Sequence, residues 1–251
     1  MHLRKTDAVV IHRLDFKESD LIVTLYTADL GKVTGIAKGA KRSKRRFVNN
    51  LQPFSYIRIL FAEGRGGLIR LDEADMIQPL FRISEDISKV LYGSYFLEMV
   101  KEMTGEKESN PRLFELLVNF LILLNDAPPR EEYPRVFELR FLDLMGYRPR
   151  LTECTICGMK SLSGEGTFFS YRHGGVVCRR CQAHARGAVA ISDETIQAME
   201  RVLGMDLAEV EGIRFSPLVL AEGKEILPRF VQHQLGKGLK SLRVMEAVQG
   251  G

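Results

Sequence analysis

The four cysteines of this chain fall in two pairs, Cys154-Thr-Ile-Cys157 and Cys178-Arg-Arg-Cys181, with twenty residues between the pairs and no cysteine elsewhere. Each Cys-x-x-Cys can present two thiolates on a tight turn, and two such knuckles close a tetrahedron around Zn²⁺. Gly158 directly after the first knuckle supplies the backbone freedom such a turn requires. Four sulfur ligands leave no position for water, so one zinc ion held by Cys154, Cys157, Cys178 and Cys181 is expected to be structural and not catalytic. The competing readings are disulfides or unrelated buried thiols, and a redox pair; the last needs a knuckle between a strand and a helix, and neither has one. His173 and His184 flank the second knuckle and read as surface residues beside a complete cysteine set.

Charge is the second constraint. The net charge is only +4, but residues 1–80 carry +5 and residues 151–187 carry +3. The sharpest run is Lys38-Gly-Ala-Lys41-Arg42-Ser-Lys44-Arg45-Arg46, with no acid between Asp29 and Glu63. Gly39 and Ser43 oppose a regular helix there, so the run reads as a flexible loop between strands. Phe47 follows at once, and Phe54 and Tyr56 open the next strand. Cations beside aromatic faces suit single-stranded nucleic acid, phosphates meeting Lys38, Lys41, Arg42, Lys44, Arg45 and Arg46 while bases stack on Phe47 and Tyr56. The alternative is a solvated basic loop with both rings in the core.

Hydrophobic periodicity divides the chain. Residues 1–79 hold five short runs of alternating apolar residues, Ala8–Leu14, Leu21–Thr27, Lys32–Lys38, Phe54–Phe61 and Gly67–Asp72, separated by the turns Ala28–Gly31 and Gly64–Gly67. That string fits a small β-barrel, an OB-fold or an SH3-like barrel. Residues 80–251 take helical spacing. Ile87–Met99 forms one stripe. Pro111–Leu124 is preceded by Asn110 as N-cap, and Pro134–Met145 is stopped by Gly146. Ser192 caps a helix to about Leu203, and Ser216-Pro217 opens another that continues past Pro228. The expected class is therefore α+β: a barrel, then an α-helical domain in which helices from both sides of an embedded four-cysteine zinc finger, about residues 150–187, join one bundle.

Several functions are disfavoured. Gly31-Lys32 and Gly236-Lys237 are not followed by Ser or Thr, so no P-loop forms; no His-x-Glu accompanies the cysteines, and no Gly-x-Ser-x-Gly or His-Glu-x-x-His occurs. The chain is expected not to be an enzyme. The N-terminal residues lack the apolar segment of a signal peptide, and the longest apolar stretch, Leu113–Leu124, is broken by Glu115 and Asn119. No membrane partner is expected, and the setting is expected to be cytoplasmic.

A resemblance is carried by Ile11-His-Arg-Leu-Asp15-Phe-Lys-Glu18-Ser19-Asp20, running into Leu-Ile-Val-Thr-Leu-Tyr-Thr27 and Gly31-Lys-Val33. Ala37-Lys-Gly-Ala-Lys-Arg42, Leu51-Gln-Pro-Phe54, the late cysteines and Gly236-Lys-Gly-Leu-Lys240-Ser-Leu continue it. In this order the chain resembles the RecO family of DNA repair and recombination mediators over nearly its whole length. The resemblance implies an OB domain, a helical domain and an embedded zinc finger. It implies binding of single- and double-stranded DNA, annealing of complementary strands, and help in loading RecA on strands coated by the single-strand-binding protein SSB. RecR and the acidic C-terminal tail of SSB are the implied partners, in the cytoplasm and on the nucleoid. The competing class is a zinc-containing structural adaptor on RNA or the ribosome.

Overall fold

The computed structural model describes residues 2–64, 66–160 and 166–249. Arg65 of the expected Gly64–Gly67 turn and residues 161–165 of the expected finger lie outside the described residues. The chain forms two compact units, Met1–Pro128 with Arg243–Gly251, and Pro129–Leu242.

In the first unit, β1 (Arg4–Phe16), β2 (Asp20–Thr27), β3 (Gly31–Ala37), β4 (Tyr56–Glu63) and β5 (Ile69–Gln78) close a barrel in the order β1-β2-β3-β5-β4. All pairings are antiparallel except β3 with β5. This is the five-stranded arrangement of an OB-type barrel. The expected alternation is realised: Leu21, Val23, Leu25, Val33, Ile57, Ile59 and Leu71 are buried in one core. Pleating sends every second side chain inward. The parallel β3–β5 edge needs a glycine, because a Cβ on Gly35 would stand 2.8 Å from Ile69 Cγ1. β1 and β5 run longer than their apolar stretches, since Arg4–Val9 pair with Tyr56–Phe61 and β5 goes on pairing with β4 to Gln78 across two register shifts.

α1 (Ile87–Met103) and α2 (Pro111–Asp126) belong to this same unit. Asp86 and Asn110 cap them by accepting backbone N–H bonds, the latter from Leu113 at 3.1 Å. α1 packs on β1 and α2, and Gly93 makes room for Phe54, whose ring lies 2.9 Å from where a Cβ would be. α1 and α2 therefore do not join the expected bundle: they carry apolar residues that side with the barrel.

The second unit contains α3 (Glu132–Leu144), α4 (Asp193–Gly204) and α5 (Pro217–Leu235), packed against one another. Ser192 and Ser216 cap α4 and α5 as expected, accepting from Thr195 and Val219. α5 runs through Pro228. Between α3 and α4 lies a small sheet unforeseen from the sequence, ordered β7 (Gly175–Cys178), β6 (Thr167–Ser170), β8 (Val189–Ile191). Its strands are too short for a periodic signal. Phe169 of β6 meets Phe230 of α5 edge to face at 5.3 Å, fixing the sheet to the helices. α6 (Lys240–Gln249) ends the described chain. The change from strands to helices falls near residue 80, while the compact units divide at 128/129.

Candidate metal centre and basic barrel loop

The sulfur atoms of Cys154, Cys157, Cys178 and Cys181 lie within 4.8 Å of one another. Cys157 Sγ and Cys178 Sγ are 3.8 Å apart. A tetrahedron with Zn–S bonds of about 2.3 Å has edges of about 3.8 Å, so the donor set fits a four-coordinate ion. The first knuckle is built by Gly158, at φ +74°, whose N–H donates to the Cys154 carbonyl at 2.8 Å. The second leaves β7 at Cys178 and enters a 3₁₀ turn, Arg179–His184. Thr155 binds the knuckles together through its N–H and hydroxyl, both donating to the Val176 carbonyl. Burial opposes ionisation of Cys154, yet N–H groups of Cys178, Cys157 and Ile156 aimed at its sulfur pull the thiol down to about 6. Cys181 is pushed up to about 12 by burial and by hydrogen bonding with the other three sulfurs. One thiolate among four sulfurs opposes the next; a dication at the centre removes that opposition. His173 is occupied elsewhere, its Nδ1 2.9 Å from Ser170 Oγ.

The basic run forms an ordered connection from β3 to β4. A 3₁₀ turn spans Ala40–Arg42, entered through Gly39 in the left-handed region. The three acids that balance it come from the tip of the β1–β2 hairpin, at positions remote in sequence. Asp20 Oδ1 accepts the Gly39 N–H at 2.8 Å, and the Lys41 N–H donates to the Ser19 carbonyl at 3.0 Å. Lys41 Nζ lies 2.9 Å from Asp15, and Arg42 lies 3.6 Å from Glu18. The hydrogen bond from Lys41 holds the Asp15 carboxyl below the usual carboxylate range, and that from Gly39 does the same for Asp20. Arg46 donates to the Lys38 carbonyl and lies over the Phe47 ring. Among the described residues Lys38, Lys44 and Arg45 form no ion pair.

The two aromatic positions part company. Phe47 is 1 % exposed and belongs to the barrel core, so its ring has no face free for a base. This corrects the expectation that it stacks: the chain turns inward directly after Arg46, whose carbonyl accepts the Ala74 N–H of β5. Tyr56 is half-buried, its ring 6.2 Å from Phe114 in an edge contact, and burial raises its hydroxyl pKa.

A closed OB-type barrel followed by a helical unit with a four-sulfur centre defines the class. Two family models match the chain in tandem, Recombination protein O N terminal over residues 1–80 and Recombination protein O C terminal over residues 84–243. A DNA repair protein RecO from Syntrophus aciditrophicus is 36% identical over 248 residues, 98% of this chain and 96% of that protein. One from Myxococcus xanthus is 36% identical over 244 residues, 96% of each chain, and one from Alkaliphilus metalliredigens is 28% identical over 248 residues. The chain belongs to the RecO family. Among the described residues no helix is long and apolar enough to cross a membrane.

Proposed function

We propose that this protein is a cytoplasmic, non-enzymatic recombination mediator that binds single- and double-stranded DNA through the barrel. It anneals complementary strands and, with RecR, assists RecA on SSB-coated single strands. The observation that carries the reading is the loop Lys38–Arg46, in which, among the described residues, Lys44 and Arg45 form no ion pair and Lys38 meets Asp20 only as a nearby charge. Phosphate contacts by such cations position a strand without reading its sequence. Tyr56 is the one ring of the expected pair with any exposed face. Zinc at Cys154, Cys157, Cys178 and Cys181 holds the module between α3 and α4 and takes no chemical step.

The acidic tail of SSB, negatively charged and ending in an apolar residue, calls for a cationic rim over an apolar floor. A hollow of about 430 Å³ in the second unit sets Arg201 and Arg214 beside Ala198, Phe215 and Val219, with one acid, Glu194, and the polar Gln197 and Ser216 completing its lining. Binding of a tail peptide abolished by Arg201→Glu supports this placement; equal binding by Arg201→Glu and the wild-type chain overturns it.

The test of DNA binding is the affinity for a single-stranded oligonucleotide across a salt series. With Lys41, Arg42, Lys44, Arg45 and Arg46 changed to Ala, the log–log slope flattens by about 0.7 for each phosphate that is no longer neutralised. A folded variant with unchanged affinity and slope refutes the assignment, and a clear preference for RNA oligonucleotides favours the adaptor class.

A further inference from the structure

The tip of the β1–β2 hairpin carries three acids, Asp15 near the end of β1, Glu18 in the turn and Asp20 at the start of β2, for which phosphate binding has no evident use. Phe16 pairs with Asp20, leaving Lys17-Glu18-Ser19 as the turn, with Lys17 at φ +51°. That tight reversal places all three carboxylates against the basic loop. Their contacts are of two kinds. Asp20 and Ser19 bind backbone: the Gly39 N–H and the Lys41 N–H are both held there, which sets the path of the loop. Asp15 and Glu18 bind cation heads: Asp15 Oδ2 is 2.9 Å from Lys41 Nζ, with Arg13 at 3.7 Å from its other oxygen, and Glu18 is 3.6 Å from Arg42.

We infer that the β1–β2 turn is an internal stand-in for DNA phosphate, Asp20 positioning the loop while Asp15 and Glu18 occupy Lys41 and Arg42 until a strand displaces them. The inference rests on the loop's proposed role in DNA binding. Exposure decides how firmly each part holds. Arg42 and Glu18 are 74% and 92% exposed at their side chains, whereas Asp15, 64% exposed, faces a Lys41 that is only 28% exposed, so Arg42–Glu18 is the looser pair and yields first. Ion pairs in that setting are weak and salt-screened, so a polyanion can replace them. The backbone N–H groups at Gly39 and Lys41 are already taken by Asp20 and by the Ser19 carbonyl, so the loop keeps its course while its cations change partner. Entry of a strand then leaves Asp15 and Glu18 close to phosphates, a like-charge cost that moderates affinity and favours release. A protein that must hand its strand to another benefits from such a limit.

The experiment measures single-strand affinity of the full chain by fluorescence anisotropy at low and moderate salt. Four proteins are compared: wild type, Asp15→Asn/Glu18→Gln, the loop variant Lys44→Ala/Arg45→Ala, and Glu85→Gln/Glu115→Gln as a control of equal net charge change just before α1 and on α2. The turn variant is expected to bind about fivefold more tightly than wild type at low salt, with the gain shrinking as salt rises. The control is expected to gain less than about twofold. If the loop variant weakens binding while the turn variant gains no more than the control, the stand-in is overturned and the loop's DNA role survives. If the loop variant binds as wild type, both are overturned.

Discussion

The carboxylate of Asp20 accepts the Gly39 N–H at 2.8 Å, so the residue that opens β2 fixes the point where the chain leaves β3 for its most basic segment. Gly39 sits at φ +67°, and the Ala40–Arg42 turn begins directly after it. The first acid of the second strand thereby decides where the cations of the loop stand.

Asp20→Ala is expected to release the loop without unfolding the barrel. Amide hydrogen exchange at Gly39 and Lys41 should accelerate while exchange in β1 and β4 stays slow. The pH dependence has a definite sign. The folded-state pKa of Asp20 is lowered, so its contribution is fully present above the ordinary carboxylate value of about 4 and is lost as pH falls through the lowered value. Protection at Gly39 should therefore be flat from neutral pH to about pH 5 and decline only in stronger acid. Loss of protection between about pH 7 and pH 6 would contradict the assignment.

Phe47→Ala is a stability variant. The ring fills the barrel core, and removing a buried Phe costs about 3–5 kcal/mol. Denaturant unfolding should show that loss, whereas the salt dependence of oligonucleotide binding, measured where the variant remains folded, should match wild type. A variant that melts like wild type but binds DNA weakly would return Phe47 to the binding surface.

Arg135 and Glu138 of α3 form a pair 3.0 Å apart with side-chain exposures of 6% and 0%, and Arg135 also donates to the Gly223 carbonyl of α5. Removing one partner of such a pair strands the other's charge. Arg135→Met should cost about 3–5 kcal/mol, and the double variant Arg135→Met/Glu138→Leu substantially less. Equal losses in single and double variants, measured by chemical unfolding, would show that the carboxylate finds another partner.

How far the sequence reached depended on the range of the interaction concerned. Strand alternation and the caps Asn110, Ser192 and Ser216 are local signals, and the elements they mark stand where expected. The cysteine spacing is nearly as local, because each knuckle is four residues long, and the sulfurs meet as anticipated. What failed was long-range. The basic run showed no acid within its own segment, yet antiparallel pairing of β2 with β3, with Leu21 opposite Ala37, brings Asp15, Glu18 and Asp20 to it. Phe47 followed the cations in sequence but turned inward, because Arg46 is tied to β5 and the next side chain faces the core. The assignment of α1 and α2 to the barrel unit had no sequence signal, since a helix stripe states that it will be covered and not by what.

The metal centre gives the last prediction. Protein purified without chelator should contain one zinc per chain, and mass mapping should find four free thiols after metal removal and no disulfide. Structural zinc in small modules contributes on the order of 10 kcal/mol of binding free energy near neutral pH. Cys178→Ser removes a ligand at the end of β7, where the chain enters the second knuckle. The variant should lose the ion and expose Val177 and Ala185, which pack with the cysteines in one small cluster. Unfolding should then separate into two steps, the second unit melting early and the barrel retaining its transition. Affinity for ions depends on deprotonated sulfur, so zinc release by a chelator should quicken as pH falls below neutrality. Cobalt substitution offers a direct view of the geometry: a tetrahedral four-sulfur site gives intense visible absorption, and Cys178→Ser should weaken it. A zinc-free wild-type chain with the same melting curve as the metal-loaded one would remove the structural role of this centre.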